Sequence, residues 1–149
     1  MIAATRLGDG WLWYSLAAIL LVYGGPQRFA AVSAATLAAT VGVGVFKLLK
    51  KLSHRQRPCQ LEPHCWSKVL PPDRFSFPSG HTMTAFSIAL VISYFYRGVE
   101  LPVYFFACSI ALSRLVLGMH FLSDVLAGAV LGIGLGCCAL TAFAAMGLI

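Results

Sequence analysis

The sequence predicts an all-α, polytopic integral membrane protein, a bundle of about five transmembrane helices forming one domain over residues 1–149. Two observations carry this expectation. Hydrophobic residues make up 59% of the chain and charged residues 11%, against roughly 25% charged in ordinary soluble domains. With so few charges the chain could not cover a water-facing surface, which makes the bilayer its natural solvent. The charge is also confined. Seven of the eleven Lys and Arg residues (Lys47, Lys50, Lys51, Arg55, Arg57, Lys68 and Arg74) fall between positions 47 and 74, leaving long apolar runs on either side.

Five such runs are read in order. The first, 11–23, is framed by Trp11, Trp13 and Tyr14, as an interfacial belt would be. It reaches only about 20 Å at 1.5 Å per residue, short of a ~30 Å hydrocarbon core. The preceding "MIAATRLGDG" has no apolar core and does not read as a cleavable signal. "GGPQR" turns the chain into the second run, 29–49, whose Ala, Gly and Ser content suits close helix packing. Residues 50–77 hold four prolines, most of the charge and no clear period. Loops of that length in compact chains are usually functional. The third run, 78–96, opens on Pro78-Ser79-Gly80-His81, and "RGVE" leads into the fourth, 101–118, which carries Arg114. The fifth, 120–146, is rich in small residues, a composition that suits pairing within the chain or between copies as a homo-oligomer.

Alternating crossings place the end of run two, the start of run three, the end of run four and the start of run five on one membrane face. Ionisable groups at membrane depth are costly and are functional candidates by default. On that face converge Lys50, Arg57, Ser79, Gly80, His81, Arg114, His120 and Asp124. Arginine binds phosphate oxygens bidentately and lysine adds a point charge. The start of run three offers free N–H groups and a positive dipole end, and Gly80 permits close approach to the backbone. Two histidines in one phosphate site point to transfer chemistry, one attacking phosphorus and one protonating the leaving oxygen. His120 and Asp124 are four apart, hence on one helical face, so the carboxylate would fix the tautomer of the ring.

Each piece also has a plainer reading. Lys50 and Arg57 alone are membrane-flanking anchors. Ser79 alone is a helix N-cap, either histidine alone is a satisfied polar residue between helices, and Arg114 with Asp124 is a structural ion pair. Their meeting on one face is what turns the balance.

The spacing is recognisable as a set. Lys50, six residues, Arg57-Pro58; then Pro78-Ser79-Gly80-His81; then Ser113-Arg114, five residues, His120, three residues, Asp124. Together these resemble the three-part signature of the type 2 phosphatidic acid phosphatase family, whose superfamily includes glucose-6-phosphatase and the vanadium haloperoxidases. The signature and its intervening spans cover residues 50–124, half the chain. The resemblance implies His120 as the nucleophile forming a phosphohistidine, supported by Asp124, and His81 as the general acid. It assigns Lys50, Arg57, Ser79, Gly80 and Arg114 to the phosphoryl oxygens. It implies no cofactor and no divalent metal. The familiar lipid phosphatases of the family have six spans where five are read here, so one leading helix is missing from the pattern.

The function implied is a membrane lipid phosphatase, acting on a monoester or pyrophosphate such as phosphatidic acid, phosphatidylglycerol phosphate or undecaprenyl pyrophosphate. A phosphotransferase and a non-catalytic phospholipid binder or transporter are the alternatives. The partners expected are a lipid phosphate and the bilayer, and no nucleic acid. A bacterial inner (plasma) membrane is the expected location. Cys108, Cys137 and Cys138 read as small core residues, whereas Cys59 and Cys65 are close enough in sequence for a disulfide, or, with His54 and His64, for a poorly spaced metal site. A disulfide would place the active face outside. Against that, Arg6, Lys47, Lys51, Arg55, Lys68 and Arg74 would place it in the cytoplasm by the positive-inside rule, and the side stays open.

Overall fold

A computed structural model of the chain describes residues 2–61 and 73–149. Among these residues all regular structure is helical. A short helix α1 (Ile2–Arg6) runs into a widened turn at Leu7–Trp11, which Gly10 breaks with φ 125, a conformation that only glycine adopts without strain. Then follow α2 (Leu12–Tyr23), α3 (Arg28–Ser53), the single turn α4 (Pro58–Leu61), α5 (Gly80–Phe95), α6 (Glu100–Val116) and α7 (Leu122–Ala145). The five longest correspond to the five apolar runs.

The run boundaries move in two places that matter. The second run continues four residues into the expected loop, so Lys50 sits on the last turn of α3 rather than beyond it. Lys50 and Lys51 there complement the negative end of the helix dipole, and His54 ends the helix in the left-handed region at φ 48. The fifth run starts later than expected. Asp124 at the third helical position accepts the Phe121 backbone N–H at 2.8 Å, which fixes Phe121 as the N-cap. His120 therefore lies in the turn before α7 and does not share a helical face with Asp124.

Side chains are distributed inside out relative to a soluble protein. The outer surface carries Tyr23 at 82%, Leu101 at 86% and Val130 at 70% exposure, while Arg57, Arg114 and Asp124 are buried to within about 1%. The packed interior is built largely from alanine (Ala31, Ala34, Ala38, Ala85, Ala89, Ala107), which lets the helices approach closely. This is the surface of a membrane protein. By length and composition α3 and α7 can cross a bilayer, and α5 is a shorter apolar helix. The cysteines expected in the core are on the outside instead: Cys108, Cys137 and Cys138 are exposed, because their helices present those faces away from α5. Cys65 and His64 lie outside the described residues, and with them the Cys59–Cys65 pairing and the metal site.

Helix α5 is the central element, packed against α3, α6 and α7. Its contact with α7 rests on a glycine every fourth residue. A Cβ added at Gly128 would lie 2.7 Å from the Ser79 carbonyl oxygen and one at Gly136 2.8 Å from Leu90 Cδ2, while one at Gly132 would run into the Met83 carbonyl. This row of glycines packs within the chain. It is also what brings the start of α5 against the start of α7.

Candidate active site

The polar opening of α5 is tied down by its neighbours. Ser79 occupies the N-cap with extended backbone (φ −73, ψ 104), and its N–H donates to the Asp124 carbonyl at 3.0 Å. Its hydroxyl caps nothing, pairing with Thr82 Oγ1 at 2.9 Å. The N–H groups of Gly80, His81 and Thr82 therefore have no intrahelical acceptor and no side-chain cap among the described residues. They sit at the positive end of the helix dipole, which favours an anion. Gly80 serves packing as well: a Cβ there would meet the Phe46 ring at 3.2 Å.

Three cations approach this end from separate elements. Lys50 Nζ lies 2.6 Å from Asp73 Oδ2. Arg57 is fully enclosed: its Nη2 donates to Asp73 Oδ1 at 2.8 Å, its Nε to the Asp73 carbonyl at 3.0 Å and its Nη1 to the Met119 carbonyl at 2.8 Å. Arg114, on the last turn of α6, is different. Its Nη1 reaches Thr5 Oγ1 at 3.1 Å, but its Nε and Nη2 are buried with no partner among the described residues. A buried donor left unpaired costs about 1–3 kcal/mol, more for a charged group.

Asp73 is the carboxylate that bridges the first two cations. Burial raises its pKa, and the hydrogen bonds and charges of Lys50 and Arg57 lower it by more, so it rests below its ordinary 3.8. Because the folded value is the lower one, its stabilising effect is complete above about pH 4 and is lost as pH falls through that folded value. Asp73→Asn is accordingly expected to lower the melting temperature at pH 7, with the difference from the parent shrinking toward pH 3. A gap that widened on acidification would contradict this.

The two histidines line the same cleft from separate elements. Helix α6 ends at Val116, Gly118 turns the chain at φ 62, and the Arg114 carbonyl accepts N–H bonds from Met119 and His120 at 3.1 and 3.2 Å. That fold-back places His120 beside Arg114 and sets its Nε2 3.2 Å from Arg57 Nη1. Nδ1 points toward Asp124 Oδ2 at 3.7 Å, within ion-pair range but beyond a hydrogen bond. Asp124 is meanwhile held by Phe121 N–H on Oδ2 and by Arg55 Nη1 on Oδ1, at 2.8 Å each. His81 Nε2 lies 2.7 Å from Asp9 Oδ1.

A cleft of about 980 Å³ opens from this cluster. Lys50, Arg57, Gly80, His81, Arg114 and His120 line its polar end, and apolar walls from α2, α3 and α5 (Leu16, Leu20, Val32, Ile88 and Ile92 among them) extend it along the bundle. Ser79 and Asp124 stand behind the lining, fully buried. All eight residues expected from the sequence thus gather at one end of the helices. Sequence reasoning did not find Thr5, Asp9, Arg55 or Asp73 as their partners.

A helical bundle with cations, two histidines and a free helix start at the head of an apolar cleft belongs to the phosphoryl-handling class. Residues 28–146 match the family described as the PAP2 superfamily, and the chain belongs to that family. It is 35% identical over 127 residues to decaprenylphosphoryl-5-phosphoribose phosphatase of Mycobacterium tuberculosis, covering 85% of this chain and 68% of that one. It is 38% identical over 99 residues to phosphatidylglycerophosphatase B of Bacillus subtilis, covering 58% of this chain and 45% of that one. The crystal structure of Aquifex aeolicus LpxE superposes with a TM-score of 0.80 at 30% identity, over 94% of this chain and 82% of that one. The PAP2-type transmembrane phosphatidylglycerolphosphate phosphatase of B. subtilis superposes at 0.69 and 24% identity over 95% and 73%, a likeness of fold. The named enzymes among these relatives are phosphatases, and the chain is a hydrolase of their family.

Proposed function

We propose that the chain is a lipid phosphatase of the bacterial inner membrane that hydrolyses a phosphate monoester or pyrophosphate on a lipid through a phosphohistidine at His120, without a divalent metal. The observation that carries the proposal is the buried Arg114 guanidinium, with two donors unpaired among the described residues, in the wall of a cleft that also holds Lys50, Arg57 and both histidines. A phosphoryl group supplies the acceptors that Arg114 lacks among the described residues, and in this reading α2, α3, α5, α6 and α7 each cross the bilayer with the cluster at headgroup level. The apolar walls offer a lipid tail a path along the bundle, which suits phosphatidic acid, phosphatidylglycerol phosphate and polyprenyl phosphates alike.

In the reaction, His120 Nε2 attacks phosphorus as the bond to the leaving oxygen breaks, and His81 gives that oxygen its proton. Water then attacks the phosphohistidine while His81 takes a proton back, releasing inorganic phosphate and restoring both rings. Arg57 Nη1, close to Nε2, passes to a phosphoryl oxygen as the substrate enters. Arg114, Lys50 and the α5 N–H groups hold the remaining charge as it develops.

Purified protein in detergent with EDTA is expected to release phosphate from these lipids, with inhibition by vanadate. Arg114→Lys keeps the charge but loses the fork, and should lower kcat/KM about 100-fold. Lipid binding without phosphate release by the parent protein would overturn the proposal.

A further inference from the structure

Among the signature residues, His81 has a partner the signature does not contain. The ring is met by a carboxylate from the turn at the N-terminal end of the bundle, Asp9 Oδ1 at 2.7 Å from Nε2. Position 9 precedes the family match at 28–146. Three features aim this carboxylate. Gly10 at φ 125 kinks the chain beside it. Gly8 leaves room beside the ring, where a Cβ would lie 3.3 Å from His81 Cδ2 and 3.0 Å from Ile110 Cγ2. Thr5 anchors the preceding turn, its hydroxyl 2.9 Å from Ser113 Oγ and 3.1 Å from Arg114 Nη1. The segment 5–10 therefore touches His81, Ser113 and Arg114 at once.

We infer that Asp9 is the positioning residue for the general acid, holding His81 so that its other ring nitrogen delivers the proton to the leaving group. The inference rests on the role given to His81 above. A carboxylate oxygen only accepts hydrogen bonds, so Nε2 carries a proton toward Asp9. Nδ1 is then the nitrogen that protonates the leaving oxygen, and the ring is left as the neutral Nε2–H tautomer still bonded to Asp9. The charged groups around the ring are Asp9 from the turn, Arg114 from α6 and Lys50 from α3. Two of these are cations that oppose a protonated imidazole, and Asp9 is the carboxylate that counters them. The arrangement gives each histidine of the site a carboxylate, Asp124 behind the nucleophile and Asp9 behind the acid.

The test compares two substrates on the full chain in detergent: phosphatidic acid, whose alkoxide leaving group needs a proton, and 4-nitrophenyl phosphate, whose leaving group does not. Asp9→Asn should reduce kcat/KM, which reports the transfer to His120 and not the later attack of water, about 10-fold on phosphatidic acid, a part of the 10²–10⁴ that general acids supply, and change it less than about 3-fold on the aryl substrate. The alkaline limb of kcat/KM on phosphatidic acid should move to lower pH by about one unit, because removing the carboxylate destabilises the protonated ring. Asp9→Glu should restore most of both. Asp9→Ser, read the same way, guards against an effect peculiar to asparagine. Equal losses on the two substrates, or an unmoved limb, overturn the inference. His81→Asn, read in kcat/KM so that its part in the water step does not enter, separates the two levels of the claim. If it too hits both substrates equally, the acid role of His81 itself is wrong. If it spares the aryl substrate while Asp9→Asn does not, only the role of Asp9 fails.

Discussion

His120→Ala is expected to bring phosphate release from any lipid substrate down to background, a loss of at least about 10⁴-fold, since removing a covalent nucleophile removes the pathway rather than one of its supports. The geometry makes this a clean experiment. His120 is held in place by its backbone, whose N–H bonds the Arg114 carbonyl at 3.2 Å, and that bond survives truncation of the side chain. The polar ties of the ring are few: among the described residues Nδ1 has no hydrogen bond, and Nε2 faces Arg57 Nη1, which keeps the Met119 carbonyl as its other acceptor. The variant should therefore melt within a few degrees of the parent while losing turnover. Radiolabelled phosphate from a lipid substrate should be trapped on the parent protein and not on the variant. Residual activity above about 1% of the parent, or label retained on the alanine variant, would rule out His120 as the nucleophile.

How far the sequence revealed this site follows from which interactions are local. The helices were legible because charge is so scarce that each charged break marks an end of a run. Where boundaries shifted, local electrostatics decided. Lysines suit a helix C-terminus, which carried α3 to Ser53, and Asp124 as an N3 carboxylate started α7 two residues late, leaving His120 in a turn. The eight signature residues were legible as fixed spacings. Their partners were not, because Thr5 meets Arg114, Asp9 meets His81 and Arg55 meets Asp124 across separations of 109, 72 and 69 residues that only the assembled bundle closes.

A signal for those partners did exist. The chain has five acidic residues, and a carboxylate in so apolar a protein needs a reason. Asp9, Asp73 and Asp124 all pair with groups of the site, and Glu100 binds the Gly98 N–H at 2.6 Å at the opposite end. Glu62 lies outside the described residues. Asking of each carboxylate which cation or ring it serves would have pointed to Asp9 and Asp73. The outward placement of Cys108, Cys137 and Cys138 was beyond reach, because in an apolar helix lipid-facing and protein-facing positions differ little in hydrophobicity.

Gly132→Val is expected to be the most damaging substitution away from the cluster. A Cβ at Gly132 would run into the Met83 carbonyl oxygen and lie 3.1 Å from the Met83 carbonyl carbon and Cα. These are backbone atoms of α5, so no rotamer change relieves the contact and one helix must move from the other. Overpacking of this kind costs about 1–3 kcal/mol, and more where the backbone itself must shift. The displacement would also reach the site, because one turn earlier Gly128 seats the Ser79 carbonyl and the Ser79 N–H bonds the Asp124 carbonyl at 3.0 Å. Parting α5 from α7 therefore parts the acid from the nucleophile. The variant should be recovered in low yield, melt about 10 °C or more below the parent, and have less than about a tenth of its activity where it folds. Gly134→Val is the control: position 134 has open space on its Cβ side, so the same added bulk and helix propensity should cost little. If the two variants melted together, the glycine contact between α5 and α7 would not be what holds the two halves of the site in register.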